Sequence, residues 1–136
     1  MYKGYKLLQE KHIKDVNSDC VLLEHEKTGA RVFLMKNKDD NKTFSIGFKT
    51  IPKDNTGICH IIEHCVLSGS RKFKTKEPFM DMVKISTATF LNALTFPDKT
   101  VYPVSSRNDK DFKNLMDVYM DAVFYPVMKE DRRIFM

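Results

Sequence analysis

The sequence predicts an α+β fold, mainly antiparallel sheet with helices packed on it, and three observations carry that expectation. Short apolar runs in the first third are joined by a Gly-containing turn, as in a hairpin. Thr43–Lys49 alternates apolar and polar residues, the period of a half-buried strand. Two later stretches, one around His60 and one from Asp109, are bounded by helix start and stop residues.

Taken in order, Val21–Glu26 and Arg31–Lys36 are strands joined through Lys27-Thr28-Gly29-Ala30. Asn37–Asn41 is a polar loop, and Thr43–Lys49 the next strand. Pro52–Gly57 is rich in turn residues, so a helix is expected from Asn55 or Thr56 until Ser68-Gly69-Ser70, where Gly suits a C-terminal cap. Glu77-Pro78 opens a second, shorter helix, because Pro fits a first turn. Thr89–Phe96 and Val101–Ser105 are expected as strands around Pro97–Thr100, with Pro103 at a sheet edge or a bulge because it has no N–H to donate. The last clear helix runs from Asp109 to Phe124. Its apolar stripe is Phe112, Leu115, Met116, Tyr119 and Val123, and Pro126 follows its end. Met128–Met136 reads as the beginning of another element. No internal repeat or low-complexity segment is present.

With 136 residues, 42% hydrophobic and 30% charged, the chain can bury a real core. It has no apolar run of signal-peptide length at its start, and nothing approaches the roughly 18 apolar residues of a membrane span, so a cytoplasmic location and no membrane partner are expected. Cys20, Cys59 and Cys65 are an odd set without a C-x-x-C pair, which argues against a disulfide framework and for buried or neutral thiols. Cys59 and Cys65 flank two histidines, and a metal role for either stays open. The net charge is +5, densest at Arg71-Lys72-Phe73-Lys74-Thr75-Lys76. One interleaved aromatic and the Glu77-Pro78 that follows favour a solvated loop over nucleic-acid binding.

The chemistry lies in His60-Ile61-Ile62-Glu63-His64. On a helix, residues i and i+4 stand about 40° apart around the axis and about 6 Å along it, so both imidazoles can reach one metal ion. Glu63 lies about 60° from His60 and about 100° from His64, beside the ion's open position, where it need not ligate. It is a candidate general base for a metal-bound water, and the order matches the inverzincin pattern His-x-x-Glu-His.

The surroundings extend the pattern. Thr56–Phe73, Lys76–Phe79, Thr89–Ala93, Phe96–Thr100, Tyr102–Val104, Asp111-Phe112, Asp117–Tyr119 and Asp121–Pro126 together resemble the insulinase/pitrilysin metallopeptidases, most of all the presequence protease branch. The resemblance covers nearly the whole chain from about Phe44. It implies a zinc endopeptidase that degrades short unstructured peptides in a chamber of two similar halves, each a mitochondrial-processing-peptidase-like metallohydrolase fold. It makes Zn2+ the cofactor, His60 and His64 two of its ligands, and Glu63 the general base. The family's third ligand, a Glu on a later helix, has no counterpart before Met136.

Residues 1–136 are accordingly expected to be a single partial domain, the N-terminal part of the first half, with residues 1–20 at its periphery. The missing remainder of the peptidase is its expected partner. Ile85–Phe90 corresponds to a family strand that usually reads Gly-Ser-Leu-Asn-Thr-Phe and pairs with the peptide, which implicates Ala88, Thr89, Phe90, Leu91 and Asn92 in substrate binding. Ile85 stands there for Gly and Ala88 for Asn, and Cys59 stands where the family often has Pro. Two functions are therefore expected from different classes: a zinc endopeptidase, incomplete and inactive as this isolated chain, or a non-catalytic truncated relative that serves as a binding module or persists as a remnant.

Overall fold

A computed structural model describes residues 2–75, 78–131 and 134, and the chain divides into two units, Met1–Asp39 and Asp40–Met136. The first is a three-stranded antiparallel sheet, β1 (Tyr5–Ile13), β2 (Ser18–His25) and β3 (Arg31–Lys36), in that order. The hairpin β2–β3 is the one the apolar runs predict, paired from Asp19↔Lys36 to Glu24↔Arg31. Gly29 supplies the positive φ of its turn, +68°, which a side chain would strain. β1 has no predicted counterpart. Tyr-Lys-Leu-Leu-Gln-Glu-Lys-His-Ile does not alternate, and its strand character comes from pairing with β2, with a register shift between Leu7 and Gln9.

In the second unit the order is β4 (Lys42–Lys49), β7 (Lys99–Ser106), β5 (Ala88–Leu91), and the two-residue β6 (Leu94–Thr95) also pairs with β7. The expected strand Thr89–Phe96 is thus two strands, broken at Asn92-Ala93, where the Asn92 side chain accepts from the Ala93 N–H. Pro103 is not at an edge: β7 is central, with Pro103 opposite Ser45 of β4. Its carbonyl accepts from the Asn92 N–H, so its other flank faces the break between β5 and β6. A missing donor costs little opposite an interrupted strand.

Among the described residues three α-helices complete the unit: α1 (Ile58–Val66), α2 (Pro78–Ile85) and α3 (Asp109–Phe124). α1 begins later than Asn55 or Thr56, because Asp54 draws the Thr56 N–H and hydroxyl into a local turn and Gly57 is left-handed at φ +73°. α3 starts and ends as predicted, with Asn108 accepting from the Lys110 and Asp111 N–H groups, both at 3.0 Å. Its buried stripe is rotated from the expected one: Leu115, Val118, Tyr119 and Ala122 are buried, while Phe112, Met116 and Val123 flank them half-buried. Leu115, Tyr119 and Ala122 pack with Val104, Tyr102 and Val66 as the core of this unit. After α3 comes a 3-10 turn, Val127–Lys129, at the start of the element expected at Met128–Met136, of which residues 132, 133, 135 and 136 lie outside the described residues.

The chain leaving α1 returns against the chain leaving α3. Val127 N–H donates to Gly69 O at 3.0 Å, Arg71 N–H to Tyr125 O at 3.1 Å, and Ser70 bridges to Pro126. Among the described residues no helix is long and apolar enough to cross a membrane.

Candidate metal centre

α1 is short, nine residues, and it carries both exposed and buried groups of the site. His60 and His64 stand one turn apart on its outer face, their Nε2 atoms 3.1 Å from each other and their rings 4.8 Å apart between centroids. Glu63, on the same helix, is only 5% exposed. Even so, one ligand atom from each of the three residues lies within 4.8 Å of the other two. The predicted pair and the predicted base are therefore brought together.

A nearly buried carboxylate needs a partner, and Thr95 of β6 provides one: its hydroxyl donates to Glu63 Oε2. Beneath it, burial and then the Glu63 charge push the Tyr102 phenol up to about 12. The sequence pattern did not single out Thr95, since a polar residue between two apolar ones in Leu94-Thr95-Phe96 is ordinary strand alternation. Its one signal was that alternation itself, which turns Thr95 to the face opposite its neighbours.

The donor set suits zinc. Two Zn–N bonds of about 2.0–2.1 Å at a tetrahedral angle place the nitrogens about 3.3 Å apart, close to the spacing found between His60 and His64. The cysteines are engaged elsewhere. The Cys59 thiol is 3.8 Å from Thr50 O, the Cys65 thiol 3.8 Å from Ile134 O, and burial pushes the Cys65 thiol up, so neither is disposed as a thiolate ligand.

Of the residues expected to meet substrate, Ala88, Thr89, Phe90 and Leu91 form or border β5, which pairs with β7 on one side, and Asn92 follows it. Thr89, Phe90 and Asn92 are exposed; Ala88 and Leu91 are half-buried. The strand is shorter than the six-residue stretch from Ile85 suggested. Ile85 is the last residue of α2 and 81% exposed, the Ser86 N–H closes that helix onto Met82 O, and the Ser86 and Thr87 hydroxyls donate to Asp111. The basic run after α1 is partly directed at α3. Arg71 lies over the Tyr125 ring, 3.6 Å from its centroid, and Lys72 Nζ is 2.6 Å from Asp117.

Two imidazoles and a glutamate on one helix beside an antiparallel sheet form a cluster that could hold a metal ion, in the order of the inverzincin pattern. The chain belongs to the insulinase family, peptidase family M16, whose sequence pattern matches residues 44–133. It is 54% identical over 136 residues to Protein HypA of Clostridium perfringens, covering all of this chain and 14% of that protein. It is 52% identical over 132 residues to presequence protease 1, chloroplastic/mitochondrial, of Arabidopsis thaliana, covering 97% of this chain and 12% of that one. The mitochondrial presequence protease of Mus musculus is 42% identical over 127 residues, with 93% and 12% covered. The fold is similar to that in a crystal structure of pitrilysin, TM-score 0.77 at 20% identity, over 96% of this chain and 14% of that chain. The chain therefore spans only 12–14% of the length of these relatives.

Proposed function

We propose that this chain carries the metal-binding and general-base part of a zinc-dependent endopeptidase acting on unstructured oligopeptides. One observation carries the reading: His60 and His64 meet nitrogen to nitrogen at 3.1 Å, with the buried Glu63 carboxylate in the same cluster. His60 and His64 would hold the ion. What zinc supplies when bound is a water pKa lowered to about 7 and a polarised scissile carbonyl.

The chain's own residues do the rest. Glu63, anchored through Oε2, takes the proton of the attacking water on its other oxygen and passes it to the leaving amine. The outer edge of β5, residues Ala88–Asn92, offers backbone donors and acceptors to an extended peptide, and exposed Phe90 offers it apolar surface. A third ligand and the wall facing β5 come from the remainder of the peptidase in this reading, so residues 1–136 by themselves bind zinc weakly and turn over no peptide. Three free cysteines suit the cytoplasmic setting that belongs to the same proposal.

The test is substitution in the full natural protein. Glu63→Gln keeps zinc and lowers peptide cleavage by about 10²–10⁴-fold, and His64→Ala loses both. Cleavage unchanged in the Gln variant sinks the mechanism. Zinc binding with no cleavage in the wild type instead favours the non-catalytic binding module.

A further inference from the structure

We propose that Thr95 is the positioning residue of this centre: its hydroxyl holds Glu63 Oε2, so the carboxylate stays beside the imidazole pair as a proton acceptor and does not swing in as a ligand. The need for such a restraint follows from the geometry. Glu63 shares α1 with both histidines, and its carboxylate lies within 4.8 Å of their nitrogens, inside the reach of a rotation about its own side-chain bonds. A carboxylate is a competent zinc ligand, and nothing in the helix spacing distinguishes a base from a third ligand.

What distinguishes them arrives from another element. β6 is only two residues long, separated from β5 by the break at Asn92-Ala93 and fixed to β7 by the pairs Leu94↔Val101 and Thr95↔Thr100. Thr100 is itself buried and shares a hydrogen bond with Thr50 at 2.8 Å, so the strand that β6 pairs with is anchored at the position opposite Thr95. A hydroxyl so held commits one carboxylate oxygen and leaves proton transfer to the other. That division of labour is what a general base needs and a ligand does not.

The inference rests on the peptidase reading only for its kinetic arm. In the full natural protein, Thr95→Val removes the hydroxyl at nearly constant shape, and Thr95→Ser keeps it. Thr95→Val is expected to lower kcat about 100-fold with KM and zinc content unchanged, the usual scale for a misplaced catalytic group, while Thr95→Ser stays near the wild type. With cobalt(II) in place of zinc, the visible absorption spectrum changes in Thr95→Val as Glu63 joins the coordination sphere, and does not change in Thr95→Ser. If Thr95→Val does not fold, Thr95→Ala carries the same two expectations. A cobalt spectrum identical in wild type and Thr95→Val, or a wild-type kcat in that variant, overturns the proposal. A wild type that cleaves no peptide overturns the peptidase reading alone, because the cobalt spectra still decide what Thr95 does.

Discussion

The backbone N–H of Lys72 donates to Asp121 Oδ2 at 2.7 Å, tying the loop that leaves α1 to the core side of α3. Asp121 is only 3% exposed, and burial pushes its pKa up. The Lys72 N–H, the Ser70 hydroxyl and the charges of Arg71 and Lys72 outweigh that and hold it below the ordinary 3.8. A depressed folded pKa means that this stabilisation is complete above pH 3.8 and is lost as pH falls from there through the lower folded value. Asp121→Asn is expected to cost about 1–3 kcal/mol in urea unfolding at neutral pH and to flatten the acid limb of the stability profile.

Leu115 and Met116 test the rotation of the α3 stripe. Leu115 is fully buried against Val104 and Tyr102, whereas Met116 is half-buried. Leu115→Ala should cost about 2–5 kcal/mol, and Met116→Ala clearly less, by denaturant titration. Equal costs would restore the stripe read from the sequence.

Asp111 gathers three hydroxyls: Ser86 at 2.9 Å to each oxygen, Thr87 at 3.3 Å and Ser106 at 2.8 Å. Ser86 in turn accepts from the Ala88 N–H at 3.0 Å, so the start of β5 hangs from α3 through this carboxylate. Asp111→Ala should speed amide exchange at Ala88 while leaving α1 unchanged. An unaltered Ala88 would mean that β7 alone holds the strand.

Tyr102 gives an alkaline signature. Its phenol is pushed up to about 12 from 10.0, so the stabilisation it represents is complete below pH 10.0 and is lost as pH rises from there to about 12. Phenolate absorbance should therefore show a late-titrating group that Tyr102→Phe removes. Glu63→Gln should move it to lower pH, though not fully to 10.0, because burial is the larger cause.

Much of this was legible along the chain. The hairpin of β2 and β3 follows from two apolar runs and a glycine turn, and α3 from an Asn cap, an apolar repeat and Pro126. The His60–His64 pair needed only the pitch of a helix. β1 was not legible, because a strand with eight of its nine residues exposed has no hydrophobic alternation to read. The edge alternative for Pro103 failed for a related reason: its tolerance in a central strand depends on a break in the neighbouring strand, between β5 and β6.

The amino-acid sequence by itself determined the local matters: helix ends, the hairpin turn, and two imidazoles with a carboxylate on one short helix. Those are set by caps, turn dihedrals and side-chain spacing that act over a few residues. Tertiary structure alone decided that Glu63 is buried and received by Thr95, 32 residues further on, and that Asp121 reaches back 49 residues to Lys72. Such pairings depend on which strand lies under which helix, and the energy that selects them comes from burying the whole face around Val104, Leu115 and Tyr119, not from the residues that meet there.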